Sequence, residues 1–358
     1  MPPIPPSSEL PDHASVVIVG AGPAGIGMAL ELNKQGVTDV LILDARDVGA
    51  SFQAWPKDTR FLTPSFPANP YGCTDLNTIK ACRSPGGDLG TEHPSGAEYA
   101  EWLHGIAEEA NLKILWPVQV ENVIPQAQGF ELLSRAGKFT ADSMVWATGE
   151  FFFPRKAPFE GAEHGLHYCE VSHWAELPGE NFIIIGGCES GIDAACHLAQ
   201  LGKTVTVLDP DGAWIPEKGD PSTVLAPQTR ARLREALRSG RLCLRAGITV
   251  SGIERVGEGY EVRSLEGQHF HTGTRPILCI GFEGGASQIE ELWDWKQGQP
   301  QLTAHDESTR TPGLFLVGPQ VRQPGEIFCF IYKFRTRFPI VAGRIANRLP
   351  CRAGTLLS

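Results

Sequence analysis

The sequence predicts an α/β fold of two three-layer, parallel-sheet domains, the second inserted into the first. Three observations predict it. A β-branched run, Val16–Val19, enters a glycine turn, continues as a helix-like stretch from Ile26 to Lys34, and ends in a second apolar strand, Val40–Leu43. The same order returns at Phe182–Ile185, Gly186–Gly191, Ile192–Leu201 and Thr204–Leu208. A late apolar strand, Gly313–Gly318, again closes on glycine. Strand, crossover helix and strand make up the unit of a parallel sheet.

At 358 residues the chain is too long for one ordinary core and suits two domains. Two further strand-like segments mark the joins. Ser143–Ala147 runs into Ala147-Thr148-Gly149, and Thr274–Gly281 ends in glycine. The expected division is a tail over 1–14, a first domain over 15–155 and 286–358, and an inserted domain over 156–285.

Composition narrows the function classes. Hydrophobic residues make up 42% and charged residues 20%, an ordinary globular balance. The net charge of −10 disfavours nucleic acid and anionic membrane surfaces as partners. No apolar run approaches the roughly 20 residues that span a bilayer. The Pro-rich start lacks the basic and apolar regions of a signal peptide. Nine cysteines are scattered and odd in number, unlike a secreted disulfide framework. A reducing cytoplasm is the expected location. No metal site is assigned.

Gly20-Ala21-Gly22-Pro23-Ala24-Gly25 fits G-x-G-x-x-G between a strand and a helix. The first glycine allows the tight turn, the second lets backbone approach a pyrophosphate, and the third lets helix pack on strand. The helix start offers free N–H groups to phosphate. Asp44 ends the second strand, where a carboxylate can accept ribose hydroxyls. The motif therefore specifies a Rossmann-like, dinucleotide-binding domain.

With these residues the chain resembles the flavoproteins built of two dinucleotide-binding domains, which include thioredoxin reductases, related disulfide reductases and flavin monooxygenases. The resemblance rests on Gly20–Gly25, Asp44, Ala147-Thr148-Gly149 and Thr311–Gly318, and covers nearly the whole chain past the tail. It implies FAD at the first turn, with Ala45 and Arg46 beside Asp44 and with Val120, Phe328 and Ile331 among the contacts. It also implies that the strand ending at Gly318 reaches the flavin ribityl chain. Relatives carry an acid next, where this chain has Pro319; backbone groups or Gln320 would replace that contact. The aromatic stretch with Ser51, Phe52, Trp55, Phe61 and Thr63 corresponds to the region that covers the isoalloxazine. A homodimer is expected by resemblance alone.

The second turn reads Gly186-Gly187-Cys188-Glu189-Ser190-Gly191. Cys188 replaces the middle glycine, where a β-carbon crowds a pyrophosphate and resists a positive φ. Asp209 and Asp211 stand where a 2′-phosphate would want basic groups. NADPH is disfavoured; NADH, a second FAD or no ligand remain open, with Trp214 available to stack on a base. The pattern is similar to that of pyridine-nucleotide-independent, diflavin-linked disulfide oxidoreductases, whose electrons come from a donor such as ferredoxin.

There is no C-x-x-C. Cys188 and Cys196 on one helix would be separated by about 12 Å of rise, beyond disulfide reach. Cys73 and Cys82 lie in a turn-rich loop of ten residues whose closure is easy, and they are the candidate redox pair. Cys329 is a third candidate, either beside the flavin at the start of a C-terminal helix opening near Glu326 or packed in the core. Lys333, Arg335 and Arg337 are candidates for docking an acidic donor or steadying a flavin anion. The leading expectation is an FAD-dependent disulfide oxidoreductase acting on a thiol-disulfide protein or a small disulfide. The alternatives are an NADH-dependent flavin monooxygenase or reductase, and a non-enzymatic flavin electron carrier.

Overall fold

The computed structural model describes residues 11–66, 75–156, 158–214 and 222–349. The described chain opens with β1 (His13–Val19) and α1 (Pro23–Lys34), which both start three residues before the runs read from the sequence, and β2 (Val40–Leu43), which has the expected bounds. β1 from Ala14 to Val19 and all of β2 are buried, as strands covered on both faces must be. After α2 (Ala50–Gln53) and α3 (Pro85–Leu89) comes α4 (Gly96–Glu109), which starts where S-x-x-E places a capping box. The Glu98 N–H donates to Ser95 Oγ at 3.2 Å and the Ser95 N–H to Glu98 Oε2 at 2.7 Å.

Four more strands follow: β3 (Ile114–Leu115), β4 (Val120–Pro125), β5 (Phe130–Ser134) and β6 (Gly137–Trp146). β6 is twice the length its apolar run indicates. Its first half, Gly137–Ala141, pairs antiparallel with β5, while Thr140–Trp146 lies parallel to β1. The sheet order is β3-β2-β1-β6-β5-β4.

The second sheet lies wholly between β6 and the late strand in sequence. It comprises β7 (Leu166–His167), β8 (Asn181–Ile185), β9 (Thr204–Asp209), β10 (Leu242–Ala246) and β14 (Ile277–Leu278), all parallel, in the order β10-β9-β8-β14-β7. Helices α5 (Glu189–Gln200) and α6 (Pro227–Arg238) pack on it. A separate antiparallel ribbon, β11 (Val250–Val256), β12 (Gly259–Ser264) and β13 (His269–Thr272), adds a third layer that the sequence reading does not contain.

A short hairpin of β15 (Trp295–Lys296) and β16 (Gln299–Pro300) precedes β17 (Leu314–Leu316), which pairs parallel with the second half of β6. The expected C-terminal helix begins later than Glu326. Glu326–Ile327 is instead a strand, β19, paired with β18 (Arg322–Gln323), and helix resumes as α7 (Ile331–Phe334) and α8 (Phe338–Arg348). The Phe338 ring fits against Gly27 of α1, where any β-carbon would meet it at 2.3 Å.

The three cations singled out near the C-terminus do not form a docking face. Lys333 donates to Ser222 Oγ at 2.9 Å and Ile327 O at 3.1 Å. Arg335 donates to the carbonyls of Asp75 at 2.5 Å and Thr78 at 2.6 Å. Arg337 pairs with fully buried Asp306, Nε to Oδ2 at 2.9 Å and Nη2 to Oδ1 at 3.0 Å. Sequence spacing could not show that these side chains turn inward to brace loops.

Arg337→Ala would leave the Asp306 carboxylate buried without its cation. The expected loss is about 3–5 kcal/mol of unfolding free energy, read from urea titration monitored by tryptophan fluorescence. Arg344→Ala, which removes a half-exposed cation from buried Glu307 but leaves that carboxylate Arg348 and the Gly313 N–H, is expected to cost about 1 kcal/mol or less.

Candidate active site

The three glycines of the first turn have different surroundings. Gly20 has φ +112°, and a β-carbon there would lie 2.4 Å from the Ala147 carbonyl oxygen. Gly25 abuts the Gly20 carbonyl, which a β-carbon would meet at 1.9 Å. Gly22 has nothing within 4 Å of a β-carbon. It is the N-cap of α1 and makes no side-chain cap, so the helix N–H groups face an open cradle. Asp44 closes the turn from behind, accepting from the Ala21 N–H at 2.6 Å and the Arg46 N–H at 2.8 Å. Burial raises the Asp44 carboxyl against those hydrogen bonds and the Arg46 charge.

This cradle opens into a cavity of about 550 Å³ lined by strands of the first sheet and, from the second half, by Tyr168, Phe282 and the first turn of α5. From the first turn come Gly20, Gly22, Pro23 and Ala24, then Asp44, Ala45 and Arg46. Ser51, Phe52, Trp55, Phe61 and Thr63 line it further along. Phe52 and Phe61 stack at 5.4 Å, and Phe61 leans on Tyr99 at 4.5 Å, so this aromatic wall is both core and cavity surface. Val120, Ala147, Thr148, Gly149, Pro319 and Ile331 are further predicted residues that reach the cavity. Thr148 Oγ1 is buried there without a hydrogen-bond partner.

Other predicted residues stand behind the wall. Gly25 and Gly318 serve backbone packing; Gly318 has φ +104°, and a β-carbon there would lie 3.1 Å from the Ala24 Cβ. Phe328 is buried in the core. Gln320 does not replace the missing acid. Its amide is spent on the Ala286 N–H at 2.9 Å and the Glu283 carbonyl at 2.9 Å, because a positive φ at Gly284 brings that loop against it.

The second turn copies the first. Gly186 has φ +99° and would meet the Cys279 carbonyl at 2.3 Å, and Gly191 would meet the Gly186 carbonyl at 1.9 Å. Asp209 Oδ2 accepts from the Gly187 N–H at 2.6 Å, as Asp44 does from Ala21. The objection to Cys188 on grounds of positive φ does not hold: its φ is −78°, close to the −83° of Gly22. What differs is the occupant of the cradle. The Cys188 side chain stands where Gly22 leaves space. Trp214 donates to the Gly187 carbonyl at 3.0 Å, and its Nε1 would lie 2.6 Å from a β-carbon on Gly187. Burial pushes the Cys188 thiol up, and Asp209, Glu189 and Asp211 push it further, which registers a negative field at the turn.

The first turn of α5 still contributes to the main cavity, through Glu189, Ser190 and Asp193. Glu189 also reaches α6, accepting from the Ala226 N–H and from Thr229 Oγ1 at 2.6 Å. Asp193 is buried at the junction of the two halves. It accepts from Thr59 at 3.2 Å, Tyr168 at 3.1 Å and Arg232 at 2.6 Å. Burial raises its carboxyl, but the His197 hydrogen bond and the His197 and Arg232 charges bring it below its ordinary value. Thr59, Tyr168, Asp193, Glu150 and Gln288 line the cavity and were missed in the sequence, since no motif or spacing marks them.

Cys73 lies outside the described residues. Cys82 is an exposed free thiol with φ +68°, away from the cavity lining. Cys196 is a buried thiol on α5, as its helical position implies. Cys329 does line the cavity.

Residues 17–318 match the model of the pyridine nucleotide-disulphide oxidoreductases. The chain belongs to that family, and it is a flavin oxidoreductase. A ferredoxin–NADP reductase of Acidovorax is 23% identical over 335 residues, covering 90% of this chain and 85% of that protein. Bacillithiol disulfide reductase from Staphylococcus aureus shares the fold with a TM-score of 0.76 at 17% identity, over 95% of this chain and all of the other. The thioredoxin reductase of T. acidophilum superposes with a TM-score of 0.67 at 18% identity, over 94% of this chain and 98% of that one. The open cradle, the unpartnered Thr148 hydroxyl and the acid-braced turn fit FAD.

Gly22→Ala is expected to leave the flavin-free fold within about 1 kcal/mol while weakening FAD retention at least about tenfold. Gly25→Ala is expected to destabilise the fold by about 3 kcal/mol or more. Thermal melts of flavin-free protein and FAD titration separate the two effects.

Proposed function

We propose that this protein is an FAD-dependent disulfide oxidoreductase that holds one FAD at Gly20–Gly25 and does not draw electrons from NADPH at the second turn. The observation that carries this reading is the contrast between the two turns. One is open and faces Arg46; the other holds Cys188 and Trp214 and lies in the field of three carboxylates. A pyrophosphate would meet repulsion there, and a 2′-phosphate more of it. The same repulsion argues against a second FAD. When bound, FAD supplies two-electron and one-electron transfer.

A ferredoxin-like donor is supported by the name of the Acidovorax relative, a ferredoxin–NADP reductase. A disulfide acceptor is supported by membership of the family and by the Cys329 thiol in the cavity wall. The thiol pair Cys73 and Cys82 receives no support from the exposed position of Cys82.

Anaerobic stopped-flow reduction, followed by flavin bleaching, compares NADPH, NADH and reduced ferredoxin. NADPH is expected to be the slower nucleotide, and ferredoxin to bleach the flavin within turnover time. Extracted cofactor is expected near one FAD per chain. Fast saturable bleaching by NADPH, or a ratio near two, would contradict the reading.

A further inference from the structure

One thiol and one imidazole stand in contact outside the flavin cavity and have no task in the account so far. His167 closes β7 and pairs with Leu278 of β14. Cys169 follows two residues later, inside a single 3₁₀ turn over Tyr168–Glu170. Tyr168 and Phe282 line the flavin cavity, whereas His167 and Cys169 do not.

Two hydrogen bonds with fixed roles set the proton on the His167 ring. The Gly281 carbonyl can only accept, and it lies 3.1 Å from Nε2, so Nε2 carries hydrogen. The Cys169 backbone N–H can only donate, and it meets Nδ1 at 3.4 Å, so Nδ1 presents its lone pair. Cys169 Sγ lies 3.2 Å from the same Nδ1. The thiol therefore donates to the basic nitrogen of the ring. His167 is held in that pose, since it is buried on a paired strand and Phe282 packs edge-on against it at 5.2 Å. Cys169 itself is half-buried.

A nucleophile, a base within hydrogen-bond reach and a third group that orients the base are the parts of an activated thiol. Burial pushes the Cys169 thiol up to about 11, with Glu170 acting the same way and Lys156 against it. It is a neutral thiol at rest and needs a base to become a nucleophile. Burial also lowers the His167 imidazole, against the Gly281 hydrogen bond and the Glu170 charge. The ring is therefore neutral at pH 7 and free to take a proton.

We propose that Cys169 and His167 form a second thiol site, separate from the flavin cavity, at which a small disulfide is attacked and half of it retained. The Cys169 S–H proton passes to His167 Nδ1 as the sulfur attacks one sulfur of the substrate. The substrate S–S bond breaks and a Cys169–substrate disulfide forms. The leaving thiolate takes the proton from Nδ1 and departs as a thiol. The exchange conserves electrons and draws none from the flavin. The chain has no other cysteine between Cys82 and Cys188, so the turn offers no resolving thiol. An added thiol reductant, such as dithiothreitol, releases the retained half. A sulfur half-buried beside a clamped ring admits a small disulfide and not one set in a folded partner protein.

The test uses the full chain as purified, with 4,4′-dithiodipyridine as the small disulfide and peptide mass spectrometry to follow each cysteine. Cys169 is expected to form a mixed disulfide that dithiothreitol reverses. From pH 7 to pH 9 its rate is expected to change less than about threefold, because the base stays neutral throughout. An unassisted thiol of such high pKa gains about tenfold per pH unit; that profile at Cys169 overturns the base role. His167→Asn keeps an oxygen that can cap the Cys169 N–H but takes no proton. It is expected to slow Cys169 modification at least about tenfold at pH 7, with the exposed Cys82 and Cys243 unchanged. An unchanged Cys169 rate in that variant leaves His167 a cap alone and overturns the proposal. If the variant does not fold, the pH profile of the unaltered chain decides. A Cys169 that stays unmodified while Cys82 and Cys243 react overturns the site. Equal modification by an oxidised thioredoxin-sized protein overturns the small-substrate assignment.

Discussion

The close approach of the glycine turn to the end of the neighbouring strand is the constraint on which this molecule is built. Gly20 presses its Cα against the Ala147 carbonyl, and Gly25 against the Gly20 carbonyl, at separations that no β-carbon tolerates. That contact sets β1 beside β6, aims α1 at the cavity, and puts Ala147-Thr148-Gly149 on the cavity wall. The inserted domain repeats it with Gly186, Cys279 and Gly191 to within about a tenth of an ångström. Two copies of one steric solution therefore support two turns of the same shape.

Shape alone does not decide binding. The backbones of Gly22 and Cys188 are nearly superposable in φ, yet one leaves space and the other fills it. Charge then separates the copies further. At the first turn the nearby cation Arg46 offsets Asp44. At the second, Asp209, Asp211 and Glu189 act on Cys188 in the same direction. Anion binding at a helix N-terminus depends on a favourable local field, so the carboxylates weaken what the helix offers.

The two halves meet through polar contacts as well as through the cavity. Lys57 N–H donates to the Ser172 carbonyl at 2.9 Å, Trp146 Nε1 to the Gly285 carbonyl at 2.8 Å, and Asp193 gathers Thr59, Tyr168 and Arg232. Buried partners of this kind fix geometry more than they add net stability. They tie the first turn of α5 to Thr59, in the stretch that carries the aromatic wall of Phe52, Trp55 and Phe61.

The local sequence determined the elements whose physics is local. Glycine spacing, β-branched runs and the acid at the end of each second strand specify the two βαβ units, because turn geometry and strand burial act over a few residues. The capping box at Ser95 and Glu98 is of the same kind. The tertiary structure alone decided the rest. It turned Lys333, Arg335 and Arg337 inward, committed Gln320 to a loop, left Cys82 on the surface, and set Cys329 in the cavity wall. Those outcomes depend on which residues meet across 31 to 260 positions of chain. No spacing in the sequence carries that information.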